Sequence, residues 1–332
     1  MEGHAVSPGA YAPLGKRCAF LAATSDQFIR GRLRTPYKDL PRRIEEAAKN
    51  GITAVQLVGW SVGGQDRDNP SDDIDPRLGT LDDLKGAIAT IQKTGVHVVL
   101  FTKYTWADIT TDQYKKELFQ YMASDPYGIP YSGGGYRYQT PEQLASINVR
   151  PFATACTSDE RWRDIAAHEF QKVLNLGADG MLFDEVEQHH GAEFCFPSGH
   201  SPETLWSGDI LMGNRFRQMV RDSIGETKFL FSGEAPEDIL ESIYPLYYFR
   251  PTPGQVPEER YEAPFRPMMI AIPGFDDREL INTALMDRYI LSYEPFNFKG
   301  NIDDFPLTIA YGKRVDALRK RYRSYFMGCR VP

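Results

Sequence analysis

A (β/α)8 barrel is the fold this sequence predicts, on three observations. Eight short apolar runs have strand length, helix-like periodicities separate most of them, and the fourth and fifth runs end directly in an acid. Strand and helix alternating at this spacing mark βαβ units around a parallel sheet. No repeat of the solenoid kind competes with that reading.

Residues 1–16 hold two Pro and three Gly with little periodicity and read as an irregular arm; a single barrel is expected over 17–332. CAFLAAT (18–24) is the first strand. A helix over 39–50 places Leu40, Ile44, Ala47 and Ala48 on one face and closes at Asn50-Gly51. ITAVQLVGW (52–60) is the second strand, and a long polar loop comes after it. Thr80 caps a helix carrying Leu81, Leu84, Ala87, Ile88 and Ile91, and VHVVLFT (96–102) is the third strand.

Residues 103–157 break the rhythm and read as a segment inserted over the barrel rim, with one helix over 112–122. Ser158 is expected to cap the next helix, which Gly177 ends. The fourth strand is the apolar run Met181, Leu182 and Phe183. After a loop and a helix over 209–224, strands five to eight are KFLFSG (228–233), IYPLYYF (243–249), PMMIAI (267–272) and RYILSY (288–293). Helices near 276–286 and 306–326 complete the pattern.

Composition narrows the function classes. A net charge of -7 over 332 residues argues against nucleic acid as the main partner, since phosphates need a basic surface. No run approaches the roughly 20 apolar residues of a membrane span, and the first residues lack the basic start and apolar core of a signal peptide. The chain as written is therefore expected to be cytoplasmic, or extracellular if a leader has been trimmed. Four scattered Cys without a CxxC pair read as isolated thiols. No motif calls for a cofactor, and oligomeric state is left open.

Asp184 and Glu185 stand where the fourth strand leaves the core, and Glu234 stands in the same place after the fifth. In a parallel barrel that end is the catalytic rim, and successive strands are neighbours. Two carboxylates facing each other there are suited to glycoside hydrolysis, one attacking as an anion and one holding a proton for the leaving oxygen. Each acid also has a structural reading: Asp184 could cap the next segment, and Glu234 could begin a helix with Pro236 in its first turn.

The run PRLGTLDDLKGAIATIQKTGVHVVLF, then GADGMLFDEV, then FLFSGEA resembles barrel glycoside hydrolases of the α-amylase and endo-α-N-acetylgalactosaminidase type. With CFPSGHSP (195–202) between the two acids, it is more similar to a bacterial family of predicted glycosidase barrels, over residues 50–250. The resemblance implies Asp184 as nucleophile, Glu234 as acid/base, an α-linked carbohydrate substrate and retention of configuration. FTKYTW lacks the Asp and Asn-His that amylases carry after strand three, and IPGFDD lacks their later His-Asp pair, so starch specificity is not implied.

Further candidates cluster at strand ends. Trp60, Tyr104, Trp106 and Tyr248 are expected to wall sugar subsites, and Lys103, Arg250 and Glu185 to bind hydroxyls or, through the cations, an acidic sugar. His189, His190 and His200 are expected to bind substrate hydroxyls from the loop after strand four. With Cys195 they could instead ligate zinc for a metal-dependent hydrolase or lyase, although their spacing matches no familiar finger. A barrel that binds sugar without cleaving it is the remaining alternative.

Overall fold

A computed structural model describes residues 19–24, 35–64, 67–134, 151–186, 194–196, 203–234, 238–251, 256–264, 266–274, 277–296 and 300–322. The expected arm at 1–16 and His189, His190 and His200 lie outside them.

The chain is mixed α/β around a curled parallel sheet. In spatial order its strands are β2 (Ala54–Val58), β3 (His97–Thr102), β7 (Gly180–Phe183), β10 (Leu230–Glu234), β11 (Leu246–Phe249), β12 (Met268–Ile272) and β13 (Ile290–Tyr293). All neighbouring pairs are parallel. β1 (Ala19–Thr24) pairs with β13 on one side and β2 on the other, which closes the strand order on itself.

Side-chain alternation along these strands makes two cores. Ala54, Val58, Val99, Phe101, Leu182, Leu246, Tyr248, Met269 and Ala271 fill the inside of the curl. Val55, Leu57, Val98, Leu100, Met181, Phe183, Phe231, Ile270 and Leu291 face outward into a larger cluster shared with the helices. The longer helices commit apolar residues to that outer layer. α1 (Leu40–Lys49) buries Leu40, Ile44 and Ala47, and α2 (Leu81–Gln92) buries Leu84, Ala87, Ile88 and Ile91 behind a full capping box at Thr80 and Asp83.

α4 (Glu160–Asn175) starts one residue later than the sequence suggests. The cap is Asp159, which accepts from the Arg161 N–H at 2.8 Å, while the Ser158 hydroxyl donates to the Thr204 carbonyl. The carboxylate is the stronger acceptor for a helix N-terminus. Gly177 closes the segment at φ +77°, a left-handed turn open to glycine.

The crossovers are unequal. α5 (Leu205–Ser223), α7 (Arg278–Met286) and α8 (Pro306–Arg321) are full helices, but only a 3-10 turn at Asp238–Leu240 is described after β10 and a five-residue α6 (Glu258–Glu262) after β11. Residues 103–157 contain α3 (Asp112–Lys116) and the antiparallel strands β4 (Trp106–Asp108), β5 (Ser132–Gly134) and β6 (Pro151–Thr154). A two-stranded pair, β8 (Phe194–Cys195) and β9 (Glu203–Thr204), comes after β7. No helix among the described residues is long and apolar enough to cross a membrane.

Gly208 lets α5 pack against the end of the 103–157 segment. A Cβ there would lie 2.2 Å from the Thr157 carbonyl carbon and 2.3 Å from the Ser158 nitrogen. Both are backbone atoms, so neither can rotate away. Gly208→Ala is expected to lower the thermal midpoint by about 5 °C or more, read by circular dichroism. A midpoint equal to wild type would show that the packing is looser than this.

Candidate active site

The strand alternation continues past the strand ends and decides which side chains enter the mouth. The Asp184 N–H donates to the Thr102 carbonyl at 2.9 Å, and the Glu294 N–H to the Ile272 carbonyl at 3.0 Å, so each residue extends its ladder by one position. Inward positions Phe101, Leu182, Ser232, Tyr248 and Ser292 are thus succeeded, two residues on, by Lys103, Asp184, Glu234, Arg250 and Glu294. The rim is charged because one parity of five strands is charged.

Asp184, Glu185 and Glu234 come together, each with a carboxylate oxygen within 4.8 Å of the others'. The Glu185 N–H donates to Glu234 Oε2 at 3.3 Å. Glu185 adopts φ +50°, a left-handed conformation uncommon for a side chain of its size. That turn matters: a continuing strand would send Glu185 to the opposite face, whereas here it stays with Asp184. Lys103 Nζ lies 3.2 Å from Asp184 Oδ2 and 2.5 Å from Glu185 Oε2, and its side chain is 1% exposed. A buried ammonium needs such partners.

Burial pushes the Glu234 carboxyl well above the usual carboxylate range. The Asp184 charge and a hydrogen bond shared with Asp184 push it the same way, and Lys103 opposes them. Within this cluster Glu234 is therefore favoured in its protonated form. As for metals, two of the three grouped carboxylates, Asp184 and Glu185, already hold the Lys103 ammonium, which supplies positive charge there.

Across the mouth, Glu294 is buried, with its side chain 1% exposed. It accepts from the Tyr248 hydroxyl and, at 2.7 Å, from Arg250 Nη2, whose side chain is 42% exposed. Burial pushes Glu294 up, against the pull of Arg250 and Tyr248. Tyr248 stands beside Glu234 in the strand register. Sequence reasoning misses Glu294, although it comes directly after the eighth strand as Glu234 closes the fifth.

The expected aromatic walls need correction. Trp60 is fully buried, and its Nε1 donates to the Phe101 carbonyl at 2.8 Å. Its parity would point inward, but Gly59 at φ +68° turns the chain and delivers the ring to the outer, helix-side cluster. Tyr104 has outward parity. It packs edge-on against Phe183 and Phe216 and donates its hydroxyl to Asp72. Neither ring can stack on a sugar. Trp106 is buried under the Lys103 ammonium, which lies 4.3 Å from its ring centroid, so it supports that lysine and walls no open subsite. Cys195 is buried beside Cys156 in a small cluster with Ala123 and Leu205.

No family model and no curated protein sequence matches the chain. Solved structures with similar folds are glycoside hydrolases, and the fold is a glycoside hydrolase-like barrel. The α-N-acetylgalactosaminidase NagBb from Bifidobacterium bifidum aligns with TM-score 0.68 and 14% identity, covering 95% of this chain and 52% of that one. A family 31 sulfoquinovosidase from E. rectale aligns with TM-score 0.65 and 10% identity, over 94% and 48%. The maltogenic α-amylase AmyB from Thermotoga neapolitana aligns with TM-score 0.59 and 12% identity, over 95% and 79%. The chain thus spans about half the length of NagBb.

Proposed function

We propose that the protein is a retaining glycosidase acting on a neutral, α-linked glycoside, built as a (β/α)8 barrel over 17–332 with residues 103–157 inserted on its rim. The observation that carries this reading is the pairing of Asp184 with a Glu234 that holds its proton, one oxygen of each lying within 4.8 Å of the other. Inversion needs a water between attacking base and sugar and so a gap of roughly 6.5–9.5 Å, whereas retention works at about 5 Å. The short gap supports retention. The α preference rests on the similar structures, which are described as α-galactosidases, an α-N-acetylgalactosaminidase and an α-amylase.

In this mechanism Asp184 attacks the anomeric carbon while Glu234 gives its proton to the departing oxygen, which leaves as an alcohol. Glu234, now an anion, takes a proton from water as the water's oxygen displaces Asp184. Two inversions make a net retention. Lys103 pairs with both Asp184 and Glu185. With Glu234 holding its proton, the carboxylates Asp184, Glu185 and Glu294 still outnumber Lys103 and Arg250 at the mouth, and both cations are already held by carboxylates. An acidic sugar would meet net repulsion, hence the neutral substrate.

The test is stereochemical. Proton NMR of the first product released from a panel of nitrophenyl α-glycosides should show the α-anomer before mutarotation. A β-anomer as first product would rule out retention, and no turnover across neutral α- and β-glycosides would favour a barrel that binds sugar without cleaving it.

A further inference from the structure

Among the described residues, Arg250 is the cation on the Glu234 side of the mouth that Asp184 and Glu185 do not hold. It lies two residues beyond Tyr248 on the inward parity, and Tyr248 is the register partner of Glu234. A guanidinium within a few ångströms of a carboxylic acid lowers that acid's proton affinity, by about one to three pH units. An acid that must protonate a leaving group cannot tolerate that. In the structure, however, Arg250 Nη2 is drawn 2.7 Å onto Glu294, and the Tyr248 hydroxyl is drawn to the same carboxylate.

We propose that Glu294 is a positioning residue: from the end of β13 it ties Arg250 and Tyr248 to its own carboxylate and cancels the arginine's charge, so that Glu234 keeps its proton. The inference rests on Glu234 being the acid/base. Among the described residues, the charged and titratable groups at the mouth around Glu234 are Asp184 and Glu185 from the end of β7, Lys103 from β3, Tyr248 and Arg250 from β11, and Glu294 from β13. Of these, Arg250 and Glu294 are paired with each other, and Lys103 with Asp184 and Glu185. Burial opposes the Arg250 charge, yet Tyr248 and Glu294 hold its proton more tightly than usual, as expected of a cation enclosed by its counter-charge.

The experiment reads Glu234 directly. The infrared carbonyl band of its protonated carboxyl, identified as the band lost in Glu234→Gln, is titrated in the full chain. In Glu294→Gln the side chain keeps its size but loses its charge, and its single amide oxygen can replace only one of the two acceptors that Tyr248 and Arg250 use; the circular dichroism stays that of wild type, and the Glu234 midpoint falls by about one unit or more, a tenfold loss of proton affinity. Adding Arg250→Met to Glu294→Gln brings the midpoint back toward wild type, because the drop is routed through the arginine.

An unchanged or higher midpoint in Glu294→Gln overturns the proposal. So does a drop that persists in the double variant, since it would come from the lost Glu294 charge alone. The titration needs no substrate. Failure of the glycosidase reading would instead appear as inactivity on the nitrophenyl panel while the Glu234 midpoint still falls in Glu294→Gln and recovers in the double variant.

Discussion

Asp184→Asn abolishes turnover, with kcat/KM falling on the order of 10^4-fold or more while the fold survives. The amide is isosteric and its oxygen still accepts from Lys103, which keeps its second partner at Glu185 Oε2, 2.5 Å away. What is lost is the negative charge on which the proposed nucleophile depends; the amide oxygen keeps its lone pairs but is a far weaker nucleophile. The thermal midpoint should stay near wild type, so circular dichroism and kinetics on one sample separate chemistry from folding. The substitution also removes the second-largest cause holding Glu234 up, so the Glu234 carboxyl should release its proton at lower pH in this variant. Turnover at wild-type rates would remove Asp184 from the mechanism.

Glu234→Gln is the companion result, with a different signature. Loss of a general acid costs about 10^2–10^4-fold on substrates with poor leaving groups. It costs far less on dinitrophenyl glycosides, whose departing oxygen needs no proton, and there the glycosyl-enzyme should accumulate and appear by mass spectrometry. Azide, which attacks without base help, should restore deglycosylation. In the wild type, kcat/KM should fall with rising pH as Glu234 deprotonates, and this basic limb should vanish in the variant. Uniform loss on every leaving group would assign Glu234 a binding role.

The same carboxyl makes a stability statement of defined sign. Its proton affinity is higher in the fold than in the unfolded chain, so its contribution is fully present below the ordinary carboxylate pKa. That contribution is lost as pH climbs through the raised value. Thermal midpoints of wild type and Glu234→Gln should therefore diverge toward alkaline pH, with the variant falling less.

The parallel strands and the two central acids are legible in the sequence because they rest on local signals: β-branched runs of strand length, glycine turns, and an acid placed directly after the run. The errors come from orientation, which depends on one or two dihedral angles. Trp60 is misplaced by the turn at Gly59, and Tyr104 by attention to strand ends without their alternation. Glu185 would turn away from Asp184 on a continuing strand and is brought back by its own left-handed backbone. Glu294 carries the same signal as Glu234, an acid directly after an apolar run of strand length. Parity counted outward from each buried strand residue finds it.

Lys103 and Tyr104 are neighbours that serve opposite sides of the sheet. Lys103 reaches the carboxylates, while Tyr104 is bound to Asp72, packed on Phe183 and Phe216, and accepts through its carbonyl from Trp162 Nε1 at 2.9 Å. Asp72 is in turn tied through its N–H to Glu169 on α4. A mutational scan that scores activity alone would therefore rank Tyr104, Asp72 and Glu169 with the reacting groups, although none of them can meet a sugar. Scoring cellular abundance in parallel would divide the two sets, because changes at the bracket deplete the protein whereas changes at Asp184 leave its amount intact.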